Sequence, residues 1–211
     1  MYKIYCNEHQ LVLSSREPDS PEDWSLVARY HGKAKLFFPI LDAMEKRTGQ
    51  EQIWVYHENV EELWAVFLGL FVRVEAAGGL VFNPQGQILV IFRRNVLDLP
   101  KGKLEPGETE VEGACREVME ETGLRQVTCG PKLGETWHIF REKKKRMIKH
   151  TVWYEMSADQ VELVPQAEEG IQDVRWIAPE DYLISNFSTF RNIRDMIRET
   201  LGRAEMRSIG K

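Results

Sequence analysis

Short runs of alternating or continuous apolar residues open the chain. "KIYC" and "QLVLS" predict two short strands, and "REPDSPEDW" is a polar turn. The spacing then lengthens to a helical period in "KAKLFFPILDAMEKRTG". That segment predicts a helix ending at Gly49, with Lys46 and Arg47 in the last turn, where cations complement the dipole. Pro39 kinks this helix or shifts its start. "QIWVYH" reads as a strand. "NVEELWAVFLGL" reads as a helix capped by Asn59, with Glu62 three residues on. Together these predict a small α+β unit over residues 1–70, with a boundary near 70–75 that no linker marks.

Beyond it the pattern changes. "VRVEAAGGLVFNP" and "QILVIFRR" flank the turn "NPQGQ", a strand–turn–strand signature. A loop and a helix follow in "GKLEPGETEVEGACREVMEETGL". "RQVTCGPKLGETWHIF" and "RMIKHTVWYEMS" predict strands around a basic turn, and "VRWI" predicts a last short strand. "APEDYL" and "STFRNIRDMIRETLG" predict terminal helices, the second with Ser188 or Thr189 as N-cap and Gly202 as its stop. Strands, helix, strands, helix in this order predict an α/β fold over residues 71–211: an α/β/α sandwich with a mixed sheet.

Composition narrows the function. The chain has 211 residues, 43% apolar and 29% charged, as an ordinary globular protein would. A net charge of −5 gives no global reason to expect a nucleic-acid partner. Cys6, Cys115 and Cys129 fit no zinc or redox spacing and read as reduced, buried thiols. "MYKIYCNEHQ" lacks the apolar core of a signal peptide, and "LWAVFLGLFV" (Leu63–Val72) is too short to span a bilayer. The expectation is a cytoplasmic protein with no membrane partner.

The stretch from Gly102 to Leu124 carries seven acidic residues. Thr109 followed by Glu112 is a capping box, and Gly123 is a left-handed cap, so a helix is predicted over Glu110–Thr122. Val111, Ala114, Cys115, Val118 and Met119 form its apolar stripe. Glu117, Glu120 and Glu121 stand at i, i+3 and i+4 and share one face. Like charges so placed repel unless something neutralises them. A solvated helix face is one outcome. A divalent cation is the other, since Mg²⁺ and Mn²⁺ prefer carboxylate oxygens with room for water. The glycine- and proline-rich loop before the helix favours the second, as does Arg116, placed to reach Glu108 and tie loop to helix.

These residues resemble the Nudix box. Gly102, five residues, Glu108, seven residues, Arg116-Glu117-Val118, one residue, Glu120-Glu121, one residue, Gly123-Leu124 match it at every specified position. A chance match at one start is rarer than roughly one in 10⁹ at average residue usage. The strand order from about Val72 to Gly202 also looks like the Nudix fold, whereas the first 70 residues lie outside the resemblance.

The resemblance implies a hydrolase that cleaves a pyrophosphate bond in a nucleoside diphosphate linked to another group, using Mg²⁺ or, alternatively, Mn²⁺. It implies that Glu117, Glu120 and Glu121 hold the metal, with a backbone carbonyl at Lys101 or Gly102 completing its shell. It implies that Arg116 orients the carboxylates by salt bridge. Many members carry glycine just before the box glycine; here Lys101 places a cation beside the site. A glutamate beyond the box often serves as general base, so the base is open between Glu120 and, in "PQAEEGI", Glu168 and Glu169.

Substrate class is less sharply written. "DLPKGKLEPGE" resembles members that act on dinucleoside polyphosphates, diphosphoinositol polyphosphates or oxidised nucleotides. "REKKKRMIK" (Arg141–Lys149) carries six cations and one acid, which on a hairpin near the active face would suit a long anionic substrate. Arg93 and Arg94 are placed to meet terminal phosphates, and Lys101 and Lys103 are further substrate-binding candidates. Trp137, Phe140, Trp153 and Tyr154 are base-stacking candidates, although aromatics at strand spacing more often form core. The expected substrate is a dinucleoside polyphosphate. The alternatives are ADP-ribose or a nucleotide sugar, or a sensor that binds a ligand without turnover. Residues 1–70 are expected to dimerise the protein or to cap its substrate.

Overall fold

The computed structural model describes residues 1–159, 162–185 and 187–209, with side chains through 203. The chain forms two compact units: residues 1–74 with 137–150, and residues 75–136 with 151 onward.

In the first unit, strands β1 (Tyr2–Cys6) and β2 (His9–Ser14) form an antiparallel hairpin. Strands β3 (Leu26–Arg29) and β4 (Gln52–Tyr56) extend the sheet in parallel, β4 pairing with both β2 and β3. Helix α1 (Phe37–Lys46) follows a single 3₁₀ turn, and α2 (Val60–Leu68) starts where the Asn59 side chain accepts from the Glu62 amide. Pro39 sits in the first turn of α1, where its missing N–H costs nothing. Phe37, Ile40, Leu41 and Met44 of α1 and Leu63, Trp64 and Phe67 of α2 pack with Ile4, Leu11, Leu13, Ile53 and Val55 in one core.

Two long strands carry the hairpin on which the basic turn lies: β9 (Thr128–Glu142) and β10 (Lys145–Ser157). Their far halves belong to the first unit, where β1 pairs in parallel with β9 through Ile4–Trp137 and Tyr5–His138. The turn residues Lys143 and Lys144 both take positive φ, as a two-residue hairpin turn requires.

The second unit is built on β5 (Val72–Phe82), β6 (Ile88–Arg93), β7 (Val96–Asp98) and β8 (Lys101–Lys103). Then come α3 (Glu110–Thr122), β11 (Ile171–Ile177), α4 (Pro179–Leu183), β12 (Ser188–Thr189) and α5 (Arg191–Ile209). Its strand order is β12-β7-β6-β5-β10, with β11 antiparallel to β6, β8 antiparallel to β5 and β12 parallel to β7. Alternate residues of the strands serve opposite faces. Ala77, Val81, Leu89, Ile91 and Val152 pack with Ala114 and Val118 of α3. Leu80, Ile88, Val90 and Trp153 pack with Tyr182, Ile193 and Ile197 of α4 and α5. This is a mixed sheet between two helical layers, the expected class.

Some elements differ from expectation. β3, β7, β8 and β12 were not foreseen, and Ser188 and Thr189 form β12 instead of capping a helix. α5 runs past Gly202, because one glycine costs a helix only about 1 kcal/mol and good helix formers follow it. α1 stops at Lys46, short of Gly49. Val111, assigned to the apolar stripe, is exposed. The three cysteines are free: Cys6 is buried, and Cys115 and Cys129 are half-buried. Among the described residues, no helix is long and apolar enough to cross a membrane.

Candidate active site

The acidic stretch folds as its local chemistry dictates. The Thr109 hydroxyl accepts from the Glu112 amide while the Glu112 carboxylate accepts from the Thr109 amide, so the first turn of α3 has its orphan donors filled. Gly123 closes the helix at φ 71°, in the left-handed region.

Arg116 organises what lies between. Its Nε and Nη2 bind both oxygens of Glu108, at 2.8 and 2.9 Å. Nη1 donates to Glu117 at 2.9 Å and to Glu120 at 3.0 Å, and Nη2 also donates to the Lys103 carbonyl at 3.1 Å. One guanidinium thus joins the loop to two of the three helix acids. The Glu108 carboxyl is held at about 2, first by Arg116 and then by the Glu105 amide. Arg116 is itself shifted upward, chiefly by Glu108.

The three helix acids occupy graded environments. Glu120 is exposed, Glu117 is half-buried and Glu121 is only 2% exposed. Burial pushes the Glu121 carboxyl up to about 7; Lys101 and Arg93 oppose this, and the nearby Asp98 charge adds to it. Burial also raises Glu117; Arg116 opposes it, and Glu120 and Glu169 raise it further. Glu121 Oε2 accepts the Lys101 amide at 2.8 Å. The Glu117 carboxylate lies against Gly102 so closely that a Cβ there would fall 1.9 Å from it. Only glycine leaves that carboxylate its place.

The remaining candidates divide. Arg93 Nη1 lies 3.7 Å from Glu121 and 3.9 Å from Glu169, so it links helix and distal loop. Glu168 and Glu169 lie on an exposed 3₁₀ turn (Ala167–Glu169). Arg94, at φ 52°, is exposed at the β6–β7 turn, and the Lys103 side chain is exposed as well. The Lys101 ammonium turns back onto Asp98 and the Leu99 carbonyl. Sequence reasoning passed over Asp98, whose only signal was its place three residues before Lys101 in "DLPK".

The aromatic candidates are largely structural. Trp153 is fully buried, donating from Nε1 to Thr136, and Tyr154 is buried with its hydroxyl on Glu110. Trp137 stacks on His150 at 4.0 Å within the first unit, and Phe140 lies beside Lys149. On the basic hairpin, Arg141 and Arg146 bind Glu45, and Arg146 also binds Asp42. Two of its six cations are therefore already neutralised.

The donor set suits a hard dication: Glu117 lies within the field of two further carboxylates, Glu120 and Glu169. Among the described residues, no three such side chains converge in advance. Arg116 stands between Glu117 and Glu120, and Arg93 beside Glu121.

Comparison with known proteins places this geometry in context. Residues 72–199 match the profile of the NUDIX domain. A protein of Bacillus subtilis, provisionally named as an 8-oxo-dGTP diphosphatase, is 37% identical over 70 residues, covering 29% of this chain and 47% of that protein. An 8-oxo-(d)GTP phosphatase of Mycolicibacterium smegmatis is 41% identical over 80 residues, 36% of this chain and 23% of that one. The chain thus spans less than half the length of either curated relative. A crystal structure of a MutT protein from Methanosarcina mazei superposes with a TM-score of 0.52 at 22% identity, over 64% of this chain and 96% of that one.

Proposed function

The chain belongs to the Nudix family, and on that premise we propose that it hydrolyses a phosphoanhydride bond in a nucleoside polyphosphate with the help of Mg²⁺ or Mn²⁺. The observation that carries this reading is the acid cluster itself. Glu108, Glu117 and Glu120 are each ion-paired to Arg116, and Glu121 is buried with the Lys101 amide on its carboxylate.

Glu117, Glu120 and Glu121 would hold the metal, with a carbonyl of Lys101 or Gly102. A dication bound there would supply charge neutralisation at the phosphates and a more acidic water. The residues do the rest. Arg116 keeps Glu117 and Glu120 from turning into solvent. Arg93 and Arg94 offer guanidinium groups to the substrate phosphates. Of the three base candidates, Glu169 is favoured: Arg116 holds Glu120 at 3.0 Å, whereas Glu169 is held more loosely, 3.9 Å from Arg93, and lies in the field of Glu117. Lys101 serves the loop and not the substrate.

For substrate, the names of the two relatives favour an oxidised purine nucleoside triphosphate. A dinucleoside polyphosphate is the second reading, favoured by the "DLPKGKLEPGE" sequence. Its other support, the basic hairpin, is weakened by the ion pairs to Glu45 and Asp42. Residues 1–70 are assigned as an accessory unit that dimerises the chain or caps the substrate.

Purified protein is to be assayed with Mg²⁺ against 8-oxo-dGTP, dinucleoside tetraphosphates, ADP-ribose and a nucleotide sugar, with and without chelator. The expected result is phosphorylated product from at least one nucleoside polyphosphate, abolished by chelator. Silence across the panel would favour a ligand sensor instead.

A further inference from the structure

We propose that Asp98 is a positioning residue, which through Lys101 fixes the backbone that places Glu121 and Glu117. The proposal rests on the hydrolase reading above. Asp98 ends β7 and is 1% exposed. One carboxylate oxygen accepts the Leu99 amide at 2.8 Å, and the other accepts the Lys101 ammonium. That ammonium also donates to the Leu99 carbonyl at 3.3 Å. Both ends of the Asp98–Lys101 turn are anchored in the sheet, Asp98 opposite Ile91 and Lys101 opposite Gly78. Gly78 permits the approach, since a Cβ there would fall 2.5 Å from the Pro100 carbonyl.

This small closed loop has two outputs. The Lys101 amide is aimed at Glu121 Oε2, and the next residue, Gly102, lies against the Glu117 carboxylate. Two acids of the cluster therefore take their positions from consecutive residues of one loop, and the Asp98–Lys101 pair sets the course of that loop. A buried ion pair is a poor source of net stability, because desolvation offsets most of its attraction. Fixed geometry is what such a pair supplies here.

The test is Mn²⁺ binding to metal-free protein, followed by the electron paramagnetic resonance signal of free Mn²⁺, alongside steady-state kinetics. Residues that orient metal ligands typically change affinity by about 10–100-fold when removed. Asp98→Ala should weaken Mn²⁺ binding about tenfold and lower kcat more than it raises KM. Asp98→Asn keeps an acceptor for the Leu99 amide and should recover part of the loss. Met196→Ala, in the core on the far face of the sheet, should lower the melting temperature and leave Mn²⁺ affinity unchanged. Should Asp98→Ala fail to fold, the Asn variant alone decides, with weakened binding expected. Wild-type Mn²⁺ affinity in every soluble Asp98 variant, or equal weakening in Met196→Ala, would overturn the proposal. A Glu117→Gln variant separates the two readings. If it too binds Mn²⁺ like wild type, the metal assignment fails; if it alone loses binding, only the role of Asp98 fails.

Discussion

Glu121 is a carboxyl group held out of water, and its protonation carries a measurable signature. Its folded value is about 7 against an ordinary 4.5, so the ionised form is disfavoured by the fold. Between pH 4.5 and 7 the unfolded chain has released the proton while the folded chain retains it. In chelator, stability therefore falls as pH rises through that window and levels off above it, a loss of up to about 3 kcal/mol. Glu121→Gln keeps an acceptor for the Lys101 amide but cannot ionise. It should match wild type near pH 4.5 and melt higher than wild type above pH 7, as scanning calorimetry would show. The same variant should lose about a hundredfold or more in turnover, since one charge of the proposed metal site is gone. Matching melts at pH 8, or near-normal turnover, would contradict the role given to this residue. At this scale the sequence was informative about identity and silent about burial. The i, i+3, i+4 spacing put Glu117, Glu120 and Glu121 on one face, but only the packing of α3 on the sheet separates a buried Glu121 from an exposed Glu120.

Elements whose ends are chemically marked were the legible ones. The capping box at Thr109 and the left-handed Gly123 bound α3 at both ends as expected, because both signals are local. β3, β7, β8 and β12 are two to four residues long, and pairing with a neighbour defines them, not any pattern of their own. β8 matters most, since it carries Gly102 past the Glu117 carboxylate. Gly102→Ala would place a methyl where that carboxylate lies. The clash is with the end of a flexible side chain, so the fold should lose only about 1 kcal/mol by a change of rotamer. Turnover should fall about tenfold or more, since misplacing a functional group by an ångström is costly. Denaturant melts and initial rates on the same preparation check both halves. A variant that is equally stable and equally active would show that the contact has no function.

At the scale of the whole chain, the α/β/α class was legible in the order of strands and helices, and in continuous apolar runs such as "ILVIF", which belong to a strand covered on both faces. The far halves of β9 and β10 were not assigned to the N-terminal unit, because a pairing such as Ile4 with Trp137 spans most of the chain and leaves no local trace. The same distance hid Glu45 and Asp42, the partners of Arg141 and Arg146, and so made the basic hairpin look freer than it is. The Nudix match covers residues 72–199, which include the helix and loop to which the proposed chemistry is assigned. The most direct test is a crystal structure of the protein soaked in Mn²⁺, with anomalous difference density recorded for the metal. The expected result is a peak within coordination distance of Glu117, Glu120 or Glu121, with Arg116 still bound to Glu108. A well-ordered cluster without such a peak, its carboxylates still paired only with Arg116 and Arg93, would contradict it.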